Sequence, residues 1–111
     1  MPIWAVSTVE RQPEIELVQW SIMEIQPAGT RHFIGYNTAD REGRVSSAIV
    51  EFDLDLKRGR TLSGRVYGLI GDSVHNLDAY HVFRCWCKVP GQRADEYRNV
   101  TLEVMSPTPS S

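Results

Sequence analysis

Nothing in this chain is long or apolar enough to cross a bilayer. Its hydrophobic runs last only a few residues, against the roughly 20 that a spanning helix requires. The first ten residues lack both the basic start and the apolar stretch of roughly 7–15 residues that an export signal needs, so the cytoplasm is the expected compartment. Cysteine is scarce: Cys85 and Cys87 stand one residue apart, too close for an unstrained disulfide, and no disulfide framework exists. A basic surplus is missing as well. Twelve Lys and Arg face fourteen Asp and Glu, giving a net charge of −2, whereas binding through nucleic-acid phosphates usually draws on excess cations. Neither a Gly-x-Gly-x-x-Gly turn nor a Gly-Lys-Ser/Thr phosphate loop occurs, and no Gly-x-Ser-x-Gly nucleophile elbow is found. No cofactor is implied.

What is present is ordinary globular material. The 111 residues are 41% hydrophobic and 23% charged, enough for one modest core and too few for two. Residues 1–105 are read as a single β-rich domain. The tail, Ser106-Pro107-Thr108-Pro109-Ser110-Ser111, has the composition of an extended or flexible segment.

Residues 1–13 hold Trp4 and Val6 but little periodicity, and Pro13 closes them. Glu14 to Ile25 follows a period of two, which predicts a long strand covered on both faces. Val18, Trp20 and Ile22 would share one face, and Ile15, Leu17, Met23 and Ile25 the other. Pro27-Ala28-Gly29 ends it. Arg31 to Asn37 reads as a second strand. A polar turn follows, in which Gly43 is available for positive φ. Val45 to Phe52 forms a third strand and Thr61 to Gly71 a fourth, joined by a charged connection in which Gly59 supplies the bend.

From Asn76 the period changes. Ala79, Val82, Phe83 and Trp86 recur at helical spacing behind a capping Asn76, which predicts a helix from Leu77 to Lys88, with a strand as the competing reading. Gln92 to Arg98 is expected to be a polar loop and Asn99 to Met105 a last strand. The fold class is therefore α+β, mainly β. A curved, four- to five-stranded antiparallel meander or partly closed barrel is expected, with one helix in the C-terminal half.

Candidate sites follow from residue type and place. Lys57, Arg58 and Arg60 crowd one connection, and Arg44 and Arg65 are expected nearby. Tyr36 and Tyr67 would add aromatic contact if exposed. These seven form the expected partner-binding surface. A protein partner is favoured, nucleic acid is disfavoured by the net charge, and an exposed edge strand would permit a homodimer. His32, beside Arg31, has the chemistry of an acid–base group, but no nucleophile is marked for it: Ser46, Ser47 and Ser63 are merely serines within range. His81 and Cys85, four apart on the expected helix, would begin a metal site for which no further ligand pair is apparent.

Arg31-His32-Phe33-Ile34-Gly35-Tyr36, then Gly43 to Ile49, then Thr61 to Leu69, resembles a pattern in small bacterial and prophage-borne proteins, over roughly residues 31–86. The resemblance implies a mobile-element accessory protein with no established activity, acting stoichiometrically on a host machine as anti-CRISPR and other anti-defence proteins do. Three readings of the chain therefore stand: a non-enzymatic binding module first, with a small β-barrel-like nucleic-acid binder and a small enzyme or metal-binding protein using His32 or His81/Cys85 as alternatives.

Overall fold

The computed structural model describes residues 14–74 and 76–105. The readings made above for residues 1–13 and the tail 106–111 lie outside the described residues. Seven strands and two helices follow one another: β1 (Glu14–Pro27), β2 (Arg31–Asn37), β3 (Glu42–Val45), β4 (Ile49–Asp53), β5 (Arg58–Thr61), β6 (Val66–Ile70), α1 (Leu77–Cys87), β7 (Ala94–Asn99) and α2 (Thr101–Met105). They form one mixed sheet in the order β3-β2-β1-β6-β5-β4, and β7 also pairs with β1. The fold is α+β in class, and among the described residues the sheet does not close into a barrel.

β1 organises everything else. Its one edge pairs antiparallel with β2. Its other edge is shared: β6 runs parallel to Glu14–Val18, and β7 runs antiparallel to Met23–Pro27. The purely antiparallel meander expected above is thus corrected. Hairpins connect β1 to β2, β2 to β3, β4 to β5 and β5 to β6. The chain then returns β6 to the central strand in parallel, which alternation within one strand does not encode.

Period-two counting also fails inside β1, for a local reason. The β1–β2 register slips between Val18 and Ser21, where Gln19 adopts φ +47°. One extra residue in a strand moves every following side chain to the opposite face. Ile15 and Leu17 therefore join Trp20 and Ile22 in one core, with Phe33, Tyr67, Leu69 and Val100. Met23 and Ile25 fall into a second core with Ile34 and Phe83, on the side covered by α1. The bulge is anchored from the β6–α1 connection: Trp20 Nε1 donates to the Gly71 carbonyl at 3.1 Å, and Ser73 Oγ donates to the Trp20 carbonyl at 2.9 Å. The Gln19 side chain accepts from Asn76, the residue that caps α1 by accepting from the Ala79 amide.

The sheet curls. β4 lies four places from β2 in the sheet order, yet Phe52 of β4 meets Phe33 of β2 with ring centroids 5.5 Å apart. Gly59 makes this possible, since a Cβ there would sit 2.4 Å from Phe33 Cζ. Gly59 lies within β5 and is not the bend it was expected to supply; Lys57, at φ +53°, occupies the turn.

Four further expectations are corrected. The run 45–52 is broken between β3 and β4, because Ser46 turns inward: its amide donates to the Phe33 carbonyl and its hydroxyl accepts from the Phe33 amide. The run 61–71 is broken between β5 and β6 by a turn in which Gly64 takes φ +93°. Residues 94–98, expected as loop, form β7 together with Asn99, while 101–105, expected as strand, form the short helix α2. Asn99 Oδ1 accepts from the Thr101 amide, and Thr101 Oγ1 accepts from the Ile22 amide, so local capping outweighs the alternation of Val100, Leu102 and Val104.

Candidate functional site

The seven residues expected to form a partner surface are not brought together. Arg44 and Arg65 are buried, as is Tyr67, which is 2% exposed. Arg44 Nε donates to the Tyr67 hydroxyl at 3.1 Å, which makes both part of the interior. Tyr36 is half-buried on β2. Lys57, Arg58 and Arg60 remain at the β4–β5 hairpin, and two of them are engaged: Arg58 pairs with Glu14 and Arg60 with Glu51. Three carboxylates (Glu51, Asp53, Asp55) balance the three cations over residues 49–61, so the hairpin carries no net positive field.

Among the described residues the hairpin carries a free edge. β4 ends the sheet order and pairs with β5 on one side only. Val50 is 48% exposed and Leu56 68%, large values for apolar side chains so close together on one hairpin. Asp53 Oδ1 accepts from the amides of Asp55 and Leu56, which fixes the turn and holds Leu56 outward. Behind the hairpin, an open recess of about 670 Å³ runs between Phe52, Leu54 and Val66, with Glu51, Arg58 and Arg60 on its rim.

A second locus surrounds His32. The ring is 4% exposed and lies 4.7 Å from the Trp86 ring, centroid to centroid. Its Nδ1 is 2.9 Å from the Ser46 carbonyl, which can only accept, so Nδ1 carries the proton. Nε2 therefore accepts from Thr30 Oγ1, 2.7 Å away. Burial pushes the imidazole below its ordinary pKa, and the bond to the Ser46 backbone opposes that only in part. The three serines considered above do not meet this base. Ser46 Oγ accepts from Phe33 and donates to the Ser47 carbonyl, while Ser47 Oγ accepts from the Ser63 amide. Thr30 was missed by sequence reasoning. The available signal was its position two residues before His32, on the same face where β2 begins.

A test of the protonation state follows. Below the ordinary histidine pKa the unfolded chain takes up a proton more readily than the folded one, so the contribution of His32 is complete above about pH 6.5 and is lost as acid approaches the depressed folded value. Urea midpoints should therefore fall between pH 7.5 and 5.5, and a His32→Gln variant should show a flatter profile. An equal slope in both proteins would contradict the buried neutral ring.

Arg31, beside His32, is taken: its Nε donates to Glu24 Oε2 at 3.0 Å. That bond holds the Glu24 carboxyl below its usual range against partial desolvation, with Gln26 and Arg98 adding to it. Cys85 is exposed and Cys87 half-buried; Cys85 Sγ stands 3.7 Å from His81 Nε2. Among the described residues, no group of three or more His, Cys, Asp or Glu side chains converges as a metal site would. No helix among them is long and apolar enough to cross a membrane. Comparison with known proteins finds no matching family model, no matching curated protein and no matching solved structure.

Proposed function

We propose that this chain is a stoichiometric protein-binding module that engages its partner through the β4–β5 hairpin, with an extended segment of the partner adding to the β4 edge. The observation that carries this reading is the edge of β4, unpaired among the described residues, beside exposed Val50 and Leu56. An open edge offers main-chain hydrogen bonds for affinity, and alternate side chains of the guest read the pockets beside it. The balanced charges of the hairpin favour a protein of mixed charge over a phosphate backbone. Such a module suits an accessory protein of a phage or mobile element that works by occupying a host complex.

The experiment is a paired capture from bacterial lysate. The wild type should enrich a partner that a Val50→Lys/Leu56→Lys variant loses. A Leu102→Lys control, altering a residue 81% exposed on α2, should retain it. All three substitutions sit at exposed positions, so stability should change by no more than about 0.5 kcal/mol each. Equal capture by the hairpin variant, or no enriched protein at all, would remove this reading. If the captured species is nucleic acid, its affinity should fall steeply with added salt, and the binder reading passes to that class.

A further inference from the structure

We propose that Thr30 is a nucleophilic hydroxyl with His32 as its general base, at the floor of a recess that accepts a small ester or similarly activated acyl group. This lies beyond the binding role and does not depend on the β4 edge. Nucleophilic catalysis by a hydroxyl needs a base within hydrogen-bond reach and a third group that orients the base, and such sites are recognised by geometry rather than by residue order. All three parts are here. Thr30 Oγ1 is 2.7 Å from His32 Nε2, and His32 Nδ1 is 2.9 Å from the Ser46 carbonyl that sets the tautomer. The base is buried while the hydroxyl is half-buried, so the nucleophile is the member a ligand can reach. The position of Thr30 is set by the backbone: its carbonyl accepts from the Ile25 amide at 3.0 Å, and the preceding Gly29 amide donates to the Ile25 carbonyl at 2.8 Å.

The recess above this pair has a volume of about 400 Å³. Ile25, Val45, Ala48 and Trp86 give it apolar walls, and Gln92 and Arg93 stand at its edge with donors for a carbonyl oxygen. That combination selects a compact acyl group with an uncharged chain. In the reaction, Thr30 Oγ attacks the acyl carbon and its proton passes to His32 Nε2. The tetrahedral intermediate then expels the alcohol or phenol oxygen, which leaves as the free anion or takes that proton, and the acyl group stays on Thr30 as an ester. Once His32 has given its proton to the leaving oxygen or to solvent, it removes a proton from water attacking the same carbon; the Thr30 Oγ–acyl bond then breaks, Oγ takes that proton, and the carboxylic acid leaves. A carbonyl supports the buried imidazolium less well than a carboxylate would, so deacylation should be slow and the acyl-threonine should accumulate.

The probe is p-nitrophenyl acetate, applied to the full chain in a Cys85→Ala background so that the exposed thiol does not report. A stoichiometric burst of nitrophenolate is expected, with an acetyl group mapped to Thr30 by peptide mass spectrometry. Thr30→Ser should keep the burst and Thr30→Val should abolish it, with unchanged circular dichroism. His32→Gln should slow acylation by about a hundredfold. The acylation rate should also show a pH inflection below the ordinary histidine range, which a purely structural histidine would not produce. Acetylation confined to lysines, or a burst that survives Thr30→Val, would overturn the proposal. Should Thr30→Val fail to fold, the mapped position in the wild-type chain decides alone.

Discussion

Phe33→Ala is expected to lower stability by about 3–5 kcal/mol, measured as a shift in the urea midpoint. Phe33 has no exposed surface and packs against Phe52 at 5.5 Å and Tyr67 at 5.7 Å, joining three strands that the sheet order keeps apart. A domain of this size has only about 5–15 kcal/mol in total, so the loss is a large share of it. The same ring explains Gly59. A Cβ there would lie 2.4 Å from Phe33 Cζ and 3.0 Å from the Glu51 carbonyl oxygen. Gly59→Ala should cost about 1–3 kcal/mol in the wild type, because the ring or the hairpin must move. In a Phe33→Leu background the shorter side chain vacates that space, and the cost should shrink by at least about 0.5 kcal/mol. Strict additivity of the two changes would show that the curl of the sheet is not held by this contact.

Gly43→Ala should cost about 2–3 kcal/mol, for a reason that leaves no room to adjust. The added methyl would meet the Asp78 carbonyl oxygen at 2.7 Å and the Ala79 Cα and amide nitrogen at 2.8 Å each. All three atoms are backbone of the first turn of α1, so relief requires the helix to lift from β3. Trp86 packs with the second core at the other end of α1, and its fluorescence should shift to the red in the variant. Gly68→Ala is the control, since its Cβ would find only Glu16 Cγ at 3.8 Å and Arg58 Nη1 at 3.9 Å. It should change stability by no more than about 0.5 kcal/mol. If both variants behave alike, α1 is not held as closely as the structure has it.

The candidate sites were legible unevenly. His32 stood out because a lone histidine has recognisable chemistry, but its partner did not. Thr30 becomes a candidate only when a carbonyl sixteen residues further along, that of Ser46, dictates which nitrogen carries the proton. The cation cluster failed in the opposite way. Arg44 and Arg65 look solvent-directed by type, yet both are buried, Arg44 turned inward on β3 with its Nε on Tyr67 and Arg65 in the turn that leads into β6. Charge alone does not say which face a strand presents.

The sequence by itself determined the local elements whose signals are short-range. These are the long β1, the bounds of β2 and the capped helix from Leu77, because side-chain period and an Asn76 cap act within a few residues. Tertiary structure alone decided the parallel return of β6, the sharing of one β1 edge with β7, and the change of face after Gln19. It also decided that a helix starts at Thr101, behind Asn99, and that Gly43 and Gly59 are sites of close approach. Each of these depends on what lies across a gap from the residue, and a pattern read along one chain contains no term for its neighbours in space.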